Sequence, residues 1–292
     1  MSEESTSYDA SNIQVLVGWE AVRKRPGMYI CSTSERGLRH MVFEIADRAT
    51  NELDGRATSV DVTLTPDGGV YVADDGPGVP IDEPGTAGGP RVEALLTQMQ
   101  AGTRFAGRHD ITLGFCGVGP AVVNALSQRM TAEVRREGVR WVQEYARGVA
   151  TTPLTEAGTA TESVTTIAFW PDADVFGAAE FPFDGLEERF RELAFLNQGL
   201  EISLTDLRHP DESRSVRFRF PGRARDLVAF LDGHAAASAP MDTIAFEYED
   251  PRMAGGWRWP SAGADVLRSG SGASPTAGPP STARTRWAFA TG

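Results

Sequence analysis

SVDVTLTPDGGVYVADDG, residues 59–76, decides the fold of this chain. Two runs of alternating apolar residues, 60–64 and 70–73, flank a Pro-Asp-Gly-Gly turn, a pattern that predicts a β-hairpin. The second run ends in Asp74-Asp75-Gly76, so an acidic pair leaves a strand into a glycine turn. Taken alone, Asp-Asp-Gly is a common turn, and its meaning depends on what surrounds it.

Helices and strands are predicted on both sides of this hairpin. Apolar residues recur with helical spacing in five segments and with strand-like patterns in four more. The predicted helices are 19–24 (ended by Pro26-Gly27), 37–53, 91–100, 121–126 and 186–195, and the further strands are 131–136, 139–145, 163–169 and 200–204. This order predicts an α+β fold, with a mixed or antiparallel sheet and helices on one face.

Composition excludes some classes of protein. The 292 residues carry a net charge of −12, which argues against a broad electrostatic grip on nucleic acid. No apolar run is long enough to span a membrane, and the acidic, polar start is not a secretory signal. The cysteines, Cys31 and Cys116, form no metal pattern, so we expect a cytoplasmic protein.

Three acidic and basic residues share one face of the predicted helix in FEIADRATNELDG, residues 43–55. Glu44, Asp47 and Arg48 are spaced i, i+3 and i+4, so a helix places them side by side. Such a set is either a solvated cluster of ion pairs or the wall of a site.

A glycine loop runs into a helix start at LGFCGVGPAVVNALS, residues 113–127. Backbone N–H groups of such a loop can hold phosphates, although tight packing or a simple turn explains a lone loop equally well. The helix, the acidic turn and this loop together are less easily explained by chance.

Five segments together resemble the ATPase region of the GHKL superfamily found in type IIA topoisomerases, that of bacterial DNA gyrase B above all. They are SYDASNIQVLVGWEAVRKRPGMYI, GLRHMVFEIADRATNELDG, VADDGPGVP, GFCGVGPAVVNALS and TTIAFWP. The resemblance covers about residues 7–222. It implies a two-layer Bergerat sandwich of helices on a mixed sheet, with ATP bound on the helical side.

The resemblance also assigns roles to individual residues. Glu44 matches the general base that activates water, and His40 matches the histidine that orients it. Asp74 matches the carboxylate that accepts the adenine amino group. Thr165 supports that contact through water, and the turn Gly78-Val79-Pro80 forms a wall of the adenine pocket.

Further positions match the rim and lid of the nucleotide site. Arg136 resembles an arginine at the pocket mouth, where inhibitors of the family bind. Asp47 and Arg48 belong to the nucleotide site by position. The lid over the phosphates is expected to include Gly102, Arg104, Gly114, Gly117, Val118 and Gly119.

The ends of the chain have separate expected roles. Residues 1–15, with Tyr8 and Ile13, resemble an arm that crosses to a partner protomer, which implies a homodimer or a heterodimer with gyrase B. Residues 16–222 form the ATP-binding domain, and 223–260 faintly resemble part of a transducer domain. Residues 261–292 are rich in Gly, Ser and Pro, and we expect them to be disordered.

Arg48 is the main departure from the family pattern, because the family has a Mg²⁺-binding asparagine at this position. A guanidinium has only donors and a fixed positive charge, so it cannot coordinate a cation. Arg48 either neutralises phosphate in place of Mg²⁺ or swings out toward Asn51 or Glu52 and leaves the pocket empty.

Smaller departures surround the pocket. Pro77 replaces an arginine that pairs with a glutamate at the position of Glu52, and Val164 replaces a glycine. Three more lie in or beside the glycine loop: Leu113, Cys116 and Pro120.

Three functions remain open. The first is an ATP-binding module with impaired hydrolysis and doubtful use of Mg²⁺. The second is a working ATPase within a larger topoisomerase assembly that acts on DNA only indirectly. The third is a non-catalytic partner or decoy of gyrase B; a role in tolerance of inhibitors is a lesser variant. Nothing in the sequence resembles the DNA-cleavage machinery of the family, so we do not expect this chain alone to be a topoisomerase. Because Arg48 stands at the position of the metal ligand, we expect a weak or inactive ATPase.

Overall fold

The fold follows from an apolar layer of helices placed against one face of a mixed sheet. The structure is a computed structural model. It describes residues 16, 18–50, 57–81, 90–99, 118–197, 199–221, 226, 230, 243–250, 255–262 and 290–291.

The helices are short except for two, α3 and α7. Their bounds are α1 Trp19–Lys24, α2 Gly27–Ile30, α3 Glu35–Thr50, α4 Arg91–Thr97, α5 Pro120–Ala125, α6 Ala173–Phe176 and α7 Phe183–Leu196. The predicted helix 19–24 has the bounds of α1, and the other four predicted helices are confirmed with ends shifted by up to three residues, whereas α2 and α6 were not predicted. Pro26 ends α1 as expected, but it also serves as the N-cap residue of α2.

The strands of the main sheet are β1 Ser59–Leu64, β2 Val70–Asp74, β3 Ser127–Arg136, β4 Val139–Ala146, β5 Val149–Ala150, β6 Thr155–Thr159, β7 Val164–Pro171, β8 Glu201–Asp206 and β9 Arg214–Phe218. Their order is β5-β4-β3-β7-β2-β1-β8-β9, with β6 on β4. β1 and β8 are parallel, and the other pairs in this sheet are antiparallel. The sheet is therefore mixed, as predicted.

Side-chain alternation places the core on one face of this sheet. In β1, Val60, Val62 and Leu64 are fully buried, while Asp61 between them is exposed. Helix α3 contributes buried apolar residues from its first three turns, and Phe43 contacts Phe190 of α7 edge to face. This packing is typical of the GHKL ATPase fold, and the expected fold class is confirmed.

A second, three-stranded antiparallel sheet joins β10 Thr243–Asp250, β11 Gly255–Ala262 and β12 Ala290–Thr291. The sequence predicted a disordered segment from residue 261, but β11 continues to Ala262 and β12 pairs with it. Residues 263–289 lie outside the described part of the chain, so the expectation of disorder there stays a prediction.

Among the described residues, no helix has the length and apolar character needed to cross a membrane.

Candidate nucleotide site

The polar residues of α3 lie inside the protein. Glu44 is 3% exposed, Asp47 8% and Arg48 8%, and His40 is equally buried. Helix α3 is covered on several sides, so its polar face meets other elements instead of water. The interpretation of these residues as a solvated ion-pair cluster is therefore wrong, and that of a site wall is favoured.

Asp74 ends β2 and points its carboxylate into the interior. Its Oδ1 accepts a hydrogen bond from the Gly76 backbone N–H at 3.1 Å. A Cβ on Gly76 would lie 2.8 Å from that same oxygen, so a larger residue here would force the Asp74 carboxylate to shift. The sequence order Asp-x-Gly after a strand is the signal that could have identified Gly76.

Arg48 forms a buried ion pair with Asp74. Its Nη2 donates to Asp74 Oδ2, and the two side chains are only 5% and 1% exposed. Burial and this partner hold the guanidinium inward, whereas the alternative pairing of Arg48 with Asn51 or Glu52 lies outside the described residues and stays a prediction. Both carboxylate oxygens of Asp74 are thus engaged by groups of the chain itself.

Glu44 contacts the end of the glycine loop. The Gly119 backbone N–H donates to Glu44 Oε2 at 2.9 Å. Gly119 has φ of +80°, which an L side chain rarely adopts, and Pro120 follows as the first residue of α5. This contact fixes one carboxylate oxygen of the expected base beside the loop, and Val118, half-buried, packs against the core there.

His40, on α3, lines a groove of about 410 Å³ between α3 and α7. Burial lowers the pKa of His40, and the charges of Arg36, Arg39 and Arg189 lower it further. Neutral imidazole is therefore the stable form at neutral pH. The expected contact of His40 with Glu44, one turn away, stays a prediction.

Thr165 stands directly opposite Asp74 in the pairing of β2 with β7. It is 1% exposed, and its hydroxyl Oγ1 has no hydrogen-bond partner within the described part of the chain. A buried hydroxyl without a partner is unfavourable, so this position suits a water or a ligand atom. Val164 lies just before it, at the start of β7.

The turn after β2 is held by Arg136 of β3. Arg136 Nη1 donates to the Gly78 carbonyl at 2.9 Å, and its Nε contacts Glu137. Gly78 has φ of +79°, and a Cβ there would come within 3.3 Å of the Val134 side chain. Pro77 is half-buried in this turn, and Val79 and Pro80 beyond it are buried; their expected role as a wall of the adenine pocket stays a prediction.

The side chains present do not fit a bound Mg²⁺ ion. Glu44 and Asp47 remain as oxygen ligands, but the next residue on the helix is a guanidinium already paired with Asp74. No three side chains of His, Cys, Asp or Glu come together as metal ligands in the described ranges. Since Mg²⁺ demands an octahedral set of oxygens, Arg48 opposes such a site.

Part of the predicted lid and arm lies outside the described residues. The arm positions are Tyr8 and Ile13, and those of the lid and glycine loop are Gly102, Arg104, Leu113, Gly114, Cys116 and Gly117. Asn51 and Glu52, which follow α3, also lie outside the described residues.

An ion-pair cluster beside α5 was not predicted. Arg23 of α1 binds the Asp172 carboxylate at 2.7 Å and the Ala125 carbonyl at 3.0 Å, and Arg147 adds a 2.9 Å contact to Asp172. Burial raises the pKa of Asp172, but the Asp174 N–H and these guanidinium groups more than offset it and leave the pKa below its ordinary value. The cluster fixes α1 against the C-terminus of α5.

Comparison with known proteins shows that the chain is similar to part of the B subunit of DNA gyrase. The gyrase B protein of Streptomyces coelicolor is 43% identical over 265 residues, 85% of this chain and 39% of that protein. The gyrase B of Micrococcus luteus is 49% identical over 250 residues, covering 83% and 35%, and that of Clostridium acetobutylicum is 44% identical over 234 residues, covering 80% and 36%. No family model matches the chain. The chain thus spans between about a third and two-fifths of the length of these relatives.

Proposed function

Because this chain is a gyrase-B-like N-terminal region with a GHKL ATPase fold, we propose that it is a nucleotide-binding module that binds ATP and hydrolyses it slowly or not at all. The proposal of slow hydrolysis rests on the buried ion pair of Arg48 with Asp74. A cation occupies the place where Mg²⁺ would need an oxygen ligand.

Binding is supported by the residues that line one buried polar region. The Thr165 hydroxyl, which has no hydrogen-bond partner among the described residues, offers a group for a base opposite Asp74, and Arg136 fixes the Gly78 turn after β2. Glu44 retains a carboxylate oriented by the Gly119 N–H, as a general base near a phosphate would require.

Slow turnover follows from the chemistry of phosphoryl transfer. Mg²⁺ bridges phosphate oxygens and neutralises the charge that develops in the transition state. A guanidinium can supply positive charge, but Nη2 of Arg48 donates to Asp74. The base can therefore be in place while the electrostatic part of catalysis is weak.

Phosphate release under single-turnover and steady-state conditions tests this function. We expect the wild type to release phosphate from ATP at a rate little above that of Glu44→Ala. Arg48→Asn restores the amide oxygen that a metal requires, and it should raise the rate and make it depend on Mg²⁺. Turnover by the wild type comparable to that of gyrase B, abolished in Glu44→Ala, would instead establish an active ATPase within a larger assembly.

A second candidate is a nucleotide-independent partner of gyrase B. It is favoured by the same ion pair, since Asp74 is paired with Arg48 of the chain itself. Tagged full-length chain should then co-purify with gyrase B in the absence of nucleotide, and deletion of residues 1–15 should abolish this. Failure of the two proteins to associate would remove this candidate.

A further inference from the structure

Arg48 changes the hydrogen-bonding groups around Asp74, at the end of the proposed pocket that would contact the base. A lone buried carboxylate is an acceptor only, so it selects ligands that bring a donor. Here Asp74 Oδ1 accepts from Gly76 and Oδ2 accepts from Arg48. Each oxygen of Asp74 therefore already accepts one hydrogen bond from the chain, and Arg48 competes with an incoming amino group for Oδ2.

Arg48 also adds hydrogen-bond donors around Asp74. A guanidinium carries five N–H donors and no acceptor, and Arg48 is held in place by burial on α3. The Thr165 hydroxyl opposite Asp74 can donate or accept, and the described residues leave it without a hydrogen-bond partner. The region as a whole has become richer in donors.

We propose that Arg48 is a specificity-determining residue, and that it removes the preference of the pocket for a 6-amino purine. The inference rests on the proposed nucleotide binding and names the base that is bound. A 6-oxo purine presents an acceptor where adenine presents a donor. The pocket therefore accepts a hypoxanthine nucleotide at least as well as an adenine nucleotide.

The decisive pair of probes differs only at this edge of the base. The β,γ-imido analogues of ATP and ITP share sugar and phosphates, so any difference in affinity reports the contacts of the base. Calorimetric titration of the wild type should give equal affinities or a preference for the ITP analogue. In Arg48→Asn, Asp74 regains a free oxygen, and the ATP analogue should be preferred by about tenfold or more.

Two further variants make the comparison specific. Arg48→Lys keeps the charge beside Asp74, so it should recover less of the preference than Arg48→Asn and it protects the test if the latter folds poorly. Arg217→Asn removes an exposed arginine paired with Glu201, and it should leave the ratio of affinities unchanged. Circular dichroism confirms that each variant is folded.

The outcomes separate the inference from the function on which it rests. A wild type that prefers the ATP analogue by tenfold, or an unchanged ratio in both Arg48 variants, overturns the inference and leaves nucleotide binding intact. Binding of the ITP analogue by the wild type, with tight binding of the ATP analogue only after Arg48→Asn, supports it. Absence of binding to either analogue in every folded variant overturns nucleotide binding, and the inference with it.

Discussion

The buried pair of Arg48 and Asp74 should contribute strongly to the stability of the domain. The two side chains are 5% and 1% exposed, so water cannot compensate either charge when its partner is lost. Removing one member of a buried ion pair costs about 3–5 kcal/mol of unfolding free energy. We expect Arg48→Met and Asp74→Asn each to lose about this amount.

Two measurements report this loss of unfolding free energy. For a domain of this size, about 3–5 kcal/mol lowers Tm by roughly 6–20 °C. In urea, the midpoint should fall with an unchanged m-value, because the native surface is the same. The double variant Arg48→Met/Asp74→Asn leaves no lone buried charge, so it should be more stable than the sum of the single losses predicts, with a coupling energy of about 2–3 kcal/mol.

A matched surface pair provides the control. Arg217 and Glu201 contact at 3.1 Å with side chains 68% and 28% exposed. Arg217→Met should therefore change the free energy of unfolding by less than about 1 kcal/mol. Equal small losses in Arg48→Met and Arg217→Met, or strictly additive effects of the two buried substitutions, would refute the reasoning.

Three further predictions concern the turn, the buried aspartate and the buried histidine. Gly78→Ala should lower the free energy of unfolding by about 1–2 kcal/mol because its φ of +79° strains an L residue, whereas Gly27→Ala, with no neighbour near its Cβ, should have little effect in the same urea titration. Asp172→Asn should lower the free energy of unfolding by about 2–3 kcal/mol near neutral pH. Because the pKa of Asp172 in the folded protein lies below its ordinary 3.8, the difference in stability between wild type and variant should shrink as the pH falls through that region. A difference that stays constant with pH would contradict this prediction. Burial lowers the pKa of His40 below its ordinary 6.5, so on acidification the unfolded chain binds a proton at this histidine before the folded chain does. The wild type should therefore lose stability between about pH 7 and pH 5, and His40→Gln should reduce that loss in thermal melts.

The parts of the fold with strong local patterns were predicted well from the sequence. The hairpin of β1 and β2 appears within one residue of the predicted bounds, because alternation and a Pro-Asp-Gly-Gly turn act together. Strand β6, TEAGT, was missed because all five residues are exposed and have no apolar alternation. Its position depends on pairing with β4, a contact that local sequence does not encode.

The candidate site shows the same division between local and long-range information. The resemblance identified Asp74, Thr165 and Arg136, and the sheet register brings the first two opposite each other. The partner of Arg48 was not predicted, because Asp74 is 26 residues away and a long side chain can point in several directions. Only the placement of α3 over the end of β2 determines that choice.

Calorimetric titration of the β,γ-imido ATP analogue, in Mg²⁺ and then in EDTA, tests the central claim most directly. If Arg48 has replaced the metal ligand, the affinities in the two buffers should agree within about threefold, which is under 1 kcal/mol. Arg48→Asn should then bind more tightly with Mg²⁺ than with EDTA. Binding by the wild type only when Mg²⁺ is present would contradict the account, because the metal would have found its ligands beside a buried guanidinium.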